Sequence, residues 1–395
     1  MSEKAQTAAA VFAALFLASS LFAQNVALRL LLLGVALLLA AVVAVRERAH
    51  LRLLPPIWLP FVLWAAWAAA SMAWSVDAER TLKEWRNEVL YTGCALWACY
   101  IAAHARAALR VFVPILAVAA VAVCAISLFE YAHGRKEYVT GWHGGPGDHS
   151  STLVLLMPCA LMAGWYARRA GAAAWIVPAS WALAALFFLS AYATLNRTVW
   201  LAFAVQFAVL GAFLAARGRP TLKFAAGVLG AIVVMGGVLL AAQAEYMSTL
   251  RSKASKQQDT RIALWPEVAQ HIAERPLVGH GFGRGLLRAE LQEKLRRVNP
   301  NLWHAHNILL DAALQTGVVG LGLLLAVFGA TMYLGWRAAF SPSEGVATCG
   351  MVLVALVAGM LVRNMTDTLL ARQNALLYWG MVGVLLAWTA RPWRA

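Results

Sequence analysis

Stretches of about 20 residues without a charged side chain recur from one end of this chain to the other, which leaves few folds open to it. A hydrocarbon core about 30 Å thick takes about 20 apolar residues per helical crossing. Inside hydrocarbon, only helices and closed barrels satisfy every backbone N–H and C=O. The alternating ten-residue segments of a barrel are missing from the sequence. Of the 395 residues, 62% are apolar and 13% charged, against about one quarter charged in a soluble domain. The expected fold is an all-α polytopic membrane protein.

Twelve spans are expected, near 7–23, 26–45, 57–74, 88–104, 111–131, 151–167, 173–193, 197–216, 221–243, 306–336, 346–363 and 374–391. The first has Lys4 before an apolar run, as a signal peptide would. A second span follows almost at once, so a retained helix is the preferred reading. Five cysteines (Cys94, Cys99, Cys124, Cys159, Cys349) fall inside apolar runs without a CxxC or zinc spacing, and read as small buried side chains.

The net charge of +15 is unevenly placed. Short basic loops carry Arg46, Arg48, Arg52, Arg106, Arg110, Arg168, Arg169, Arg217, Arg219, Lys223, Arg337, Arg391 and Arg394, with only Glu47 and Glu344 among them. Positive loops stay in the cytoplasm, which puts both termini there. The opposite face holds Ser75–Asn87, Ala132–Ser150, Ala244–His304 and Asn364–Gln373. This side keeps Arg80, Lys83, Arg86, Arg197, Arg251, Arg261, Arg275, Arg284, Arg288, Arg296, Arg297, Arg363 and Arg372. Two readings of that outward charge stand: solvated loops, or a surface that holds an anion. The middles of the spans carry almost no ionisable groups, which argues against a proton-coupled transporter or flippase. One membrane domain, 1–395, with an outward segment 244–304 inserted between spans 9 and 10, is the simplest organisation.

Within that segment, Ile262, Trp265, Val268, Ala269 and Ile272 keep a helical spacing that starts at Asp259 or Thr260 and ends at Pro276. Gly279-His280-Gly281-Phe282-Gly283-Arg284-Gly285 follows. It is read either as a turn or as a loop whose N–H groups approach an anion. A second basic amphipathic helix is expected over Leu286–Val298, with Leu287, Leu291 and Leu295 on one face, suited to the membrane interface. The apolar run after Trp303 is about 46 Å long as a helix, more than the bilayer needs, so it projects outward or breaks near Thr316-Gly317. His306 then lies at the outer boundary, within reach of both a lipid-borne substrate and water. Asn307 and Asp311, four apart, share a face, and Asp311 is placed to orient a neighbouring polar group or an acceptor.

At these residues the chain resembles the O-antigen ligase family, within the O-antigen ligase/polymerase superfamily. The family pattern of His, Asn or Ser, two free positions, Leu, six free positions and Gly is met by His306, Asn307, Leu310 and Gly317. Arg261 with Trp265, Pro276 through Gly281, Ser75 through Arg86, and Asn196-Arg197 are similar more loosely. One departure is that Leu264 follows Arg261 by three residues, where the family's arginine motif is sometimes described with four. The resemblance implies a GT-C-like glycosyltransferase on the periplasmic face of the bacterial inner membrane. It would move a glycan from undecaprenyl diphosphate onto lipid A–core by inverting, metal-independent transfer. An O-antigen polymerase, a protein O-oligosaccharyltransferase and, from another class, a lipid-linked-glycan flippase are the alternatives.

The side chains fit this scheme on chemical grounds. A lipid diphosphate leaves well once its negative charge is stabilised. No DxD pair occurs in an outward loop, so no metal or other cofactor is expected, and arginine can grip phosphate instead. The expected diphosphate contacts are Arg261, Arg197 and Arg86, then Arg284, Arg288, Arg80 and Lys83. His306 is the expected general base, a role worth about 100- to 10,000-fold in rate. An imidazole titrating near pH 6.5 suits it. His304, His280 and Asp367 form a second tier, as structural groups or sugar contacts. Glu267 and Glu274 lie on one helix and point the same way, so they do not flank a bond as glycosidase carboxylates do.

Overall fold

The computed structural model describes residues 2–48, 52–134, 139–142, 144–218, 260–294 and 304–390. Every regular element among them is helical. In order they are α1 (Ser2–Ser19), α2 (Val26–Arg46), α3 (Trp58–Ala70), α4 (Ala78–Trp85), α5 (Tyr91–Ala102), α6 (Ala108–Ala132), α7 (Pro146–Arg169), α8 (Ile176–Ala193) and α9 (Arg197–Ala216). Further along the chain come α10 (Thr260–Glu274), α11 (Arg288–Lys294), α12 (Ile308–Ala339), α13 (Glu344–Arg363) and α14 (Arg372–Thr389). Seven of the described helices are long and apolar enough to cross a membrane: α2, α6, α7, α8, α9, α12 and α13. The chain is thus a polytopic α-helical membrane protein. Four more expected spans coincide with the helices α1, α3, α5 and α14, while 221–243 lies outside the described residues.

Lipid supplies no hydrophobic drive between apolar helices, so close contact needs small residues at the crossing points. Where α12 meets α13, a Cβ on Gly350 would sit 2.5 Å from the Gly335 carbonyl oxygen. Two buried polar side chains tie helices together. Gln206 donates to the Val154 carbonyl at 2.7 Å, and the Arg363 guanidinium, 1% exposed, donates to Ser150 Oγ, Thr198 Oγ1 and the Gly147 carbonyl.

The segment that precedes α12 is anchored by an exchange of hydrogen bonds at Gly317. Its φ of 66° and ψ of −175° break α12, a backbone geometry that glycine adopts without steric cost. The break releases the Leu314 carbonyl, which accepts from His280 N at 3.0 Å. Val318 N turns instead to the Pro276 carbonyl at 2.8 Å. Gln315 O takes Gly281 N at 2.9 Å, and Thr316 O takes the Trp67 indole N–H, also at 2.9 Å. The 276–285 loop is therefore hydrogen-bonded into the gap where the helix has none of its own bonds.

Both amphipathic helices form, as α10 and the shorter α11. Among the described residues, Leu287 and Leu291 of the second stripe are buried against protein, while Leu295 lies outside the described residues. Leu264, Val268, Leu287, Leu291 and Leu314 close into a small core of their own against α12. A five-residue π-helical turn, Arg86–Leu90, separates α4 from α5. Such turns insert one extra residue and re-aim the side chains around it.

Candidate functional site

His306 precedes α12 with φ +50°, a left-handed conformation that a residue with a Cβ adopts only when its surroundings enforce it. Three contacts do so. Its backbone N–H donates to His304 Nδ1 at 3.1 Å, its ring stacks on that of His304 with centroids 3.8 Å apart, and its Nδ1 lies 3.0 Å from Asp367 Oδ1. Asn307 then caps the helix, accepting from Leu309 N and Leu310 N and donating to the Met365 carbonyl. Its carboxamide is thus committed to the fold, and Asn307 is a structural cap.

Asp311 is likewise structural. It accepts from Ala305 N at 2.8 Å, from the Thr368 hydroxyl, and lies 3.4 Å from His304 Nδ1. It fastens the 304–306 turn to the 364–371 loop. That loop is folded by Asn364, whose Oδ1 accepts from Leu369 N and Leu370 N, both at 2.7 Å. Asp367, placed in the second tier on sequence grounds, emerges as the partner of the histidine. Burial raises its carboxyl pKa, but the His306 hydrogen bond and the charges of His306, His304 and Arg363 outweigh that and hold it at about 2. An ionised Asp367 makes Nδ1 the protonated nitrogen of His306. Nε2 is left as an acceptor, with no partner among the described residues.

The other expected residues divide. Lys83, Arg86, Arg197 and Arg288 are exposed; Arg197 opens α9, and Arg288 reaches Gln292 Oε1 at 3.4 Å. Arg80 lies against Gly285, where a side chain would collide with the guanidinium. Arg284 donates to the Thr368 carbonyl at 2.7 Å, and the Thr368 N–H in turn holds Asp367 Oδ1 at 2.8 Å. The side chain of Arg261 falls outside the described residues, although its backbone belongs to α10. His280 is buried with Nε2 2.8 Å from the His271 carbonyl, a structural role. Glu274 sits 3.1 Å from His271 Nδ1, and that hydrogen bond holds its carboxyl below the usual range.

Sequence reasoning missed three contributors. Glu88, on the π turn, accepts from Arg372 N at 2.9 Å, and Asp148 accepts from Asn374 Nδ2 at 3.1 Å. Arg363, counted only as outward charge, is the buried clamp on α7. None sits in a local motif, and the π turn itself has no sequence signature. Two groups bring metal-competent donor atoms within 4.8 Å of one another: His304, His306 and Asp367, and His271, Glu274 and His280.

Beside the histidine cluster lies a cleft of about 690 Å³, measured to its open mouth. Asp311 and Thr368 line it and contact His304 and Asp367 of the cluster. Glu84, Glu88, Arg284 and Gln315 line its polar part, and Trp64, Phe282 and Trp379 its aromatic part.

A bundle of apolar helices with a histidine–carboxylate pair at one helix mouth makes this a polytopic membrane protein with a candidate site at the start of α12. Residues 182–325, which include His306, match the family described as O-antigen ligase. No curated protein matches the chain.

Proposed function

We propose that this protein is an O-antigen ligase of the bacterial inner membrane, its site facing the periplasm and both termini in the cytoplasm. It would transfer a glycan from undecaprenyl diphosphate to lipid A–core. The observation that carries this reading is the His306–Asp367 pair at the mouth of α12, whose histidine lies inside the family-matched segment. In the proposed step, His306 Nε2 takes the proton of an acceptor hydroxyl. The freed oxygen attacks the anomeric carbon opposite the diphosphate, and the anomeric C–O bond breaks with inversion. Asp367 stabilises the imidazolium that forms. The leaving diphosphate carries away the electron pair, its charge balanced by Arg261, Arg197 and Arg86, with Arg80 and Lys83 on α4.

The transfer is proposed to need no metal, with arginine charge balancing the diphosphate. Residues 260–294 would form the periplasmic wall of the site. An O-antigen polymerase uses the same donor and chemistry with another lipid-linked glycan as acceptor. Purified protein in detergent, given undecaprenyl-diphosphate-linked glycan with and without lipid A–core, separates the two. Glycan on lipid A–core, formed only when that acceptor is present, is the expected outcome. Lengthening of the lipid-linked glycan alone would make the protein a polymerase.

A further inference from the structure

The cleft beside the histidine cluster is chemically unsuited to a diphosphate. Glu84, Glu88 and Asp311 line it against a single guanidinium, that of Arg284. Arg284 is itself engaged with the Thr368 carbonyl, and its charge acts on Glu88. A dianion entering there would meet like charge. What remains attractive is a neutral, polyhydroxylated ring: carboxylates accept hydroxyl protons, a carboxamide both donates and accepts, and aromatic rings cover the apolar C–H face of a sugar.

All three elements are in place. Trp64 and Phe282 meet edge to face, their centroids 6.1 Å apart, on the aromatic side of the cleft. Glu84 carries no side-chain hydrogen bond among the described residues. Gln315 uses Oε1 on Gly283 N at 3.0 Å, while its Nε2 makes no bond among them. Resting on the transferase reading above, we propose that this cleft is a saccharide subsite. It would hold the acceptor glycan through Trp64, Phe282, Glu84, Glu88 and Gln315, apart from the arginines that take the lipid diphosphate. Asp311 and Thr368, which contact His304 and Asp367 of the histidine cluster, put the bound sugar next to His306.

The test measures binding without turnover. Deacylated core oligosaccharide of lipopolysaccharide is titrated into the purified full chain by saturation-transfer NMR and calorimetry, with inorganic pyrophosphate as competitor. Binding is expected to weaken about tenfold in Glu84→Ala and in Phe282→Ala, with pyrophosphate displacing nothing. Glu84 stands on the surface of α4, so its variant keeps the fold if Phe282→Ala does not. In the transfer assay the same variants should raise the acceptor KM and leave the donor KM within about twofold. Oligosaccharide binding that neither variant alters, no binding at all, or displacement by pyrophosphate would each overturn the subsite. Binding that behaves as expected in a protein that transfers glycan to no acceptor would uphold the subsite and refute the transferase reading.

Discussion

Nδ1 of His306 lies 3.0 Å from Oδ1 of Asp367, a residue 61 positions further along the chain. The pair forms because Asp311 ties the turn before α12 to the loop after α13. The carboxylate therefore reaches the imidazole through a fixed frame rather than a mobile tether. The frame fixes which ring nitrogen carries the proton, and with it which one faces the reaction.

His306→Ala should reduce glycan transfer by about 100- to 10,000-fold, with unchanged elution in detergent. Activity within about tenfold of the parent protein would remove His306 from the base role.

Asp367→Asn should lower kcat while the KM values for donor and acceptor stay within about twofold, because the carboxylate orients the base and touches neither substrate. A rise in either KM with kcat unchanged would place Asp367 in substrate binding instead.

Asp367 also predicts a pH effect on stability. Its folded pKa, about 2, lies below the ordinary aspartate value of about 3.9. Its contribution is therefore complete above about pH 4 and is lost as pH falls through 4 towards 2. Thermal midpoints of the parent protein should fall more steeply over that window than those of Asp367→Asn. Parallel slopes would show that the pair contributes nothing to the fold.

Arginines that hold the fold and arginines that hold substrate should separate cleanly. Arg363→Ala strips Ser150, Thr198 and the Gly147 carbonyl of their buried donor, a loss of about 3–5 kcal/mol by the usual cost of breaking buried charged networks. It should appear as poor expression and a lowered midpoint. Arg86→Ala, on an exposed side chain, should keep the midpoint and lose about 100-fold in rate if it meets the diphosphate. The opposite pattern in thermal shift and initial-rate measurements would exchange the two assignments.

Chelation tests the metal-free mechanism directly. Millimolar EDTA should leave the transfer rate unchanged, and added magnesium or zinc should not raise it. A loss restored by one divalent ion would make His304, His306 and Asp367 a metal centre.

Much of the local structure was legible in the sequence. The break at Thr316-Gly317 followed from a run longer than a bilayer, α10 from its apolar spacing, and His306 from its place where polar chain re-enters the apolar region. The destination of the second amphipathic helix was not, because a stripe of Leu287 and Leu291 is the same stripe whether it meets lipid or α10. Nor was the split among arginines. Arg363 and Arg86 both flank expected spans, and only packing puts one beneath Ser150 and leaves the other in solvent.

Periodicity and charge are local properties, so the sequence by itself determined the helical membrane class and the place of His306 where polar chain re-enters an apolar run. The pairing of His306 with Asp367, the clamp of Arg363 on α7 and the acidic, aromatic cleft join residues tens to hundreds of positions apart. Those depend on which helix ends meet, and glycine contacts between helices and hydrogen bonds across the break in α12 settle that only once the chain is folded.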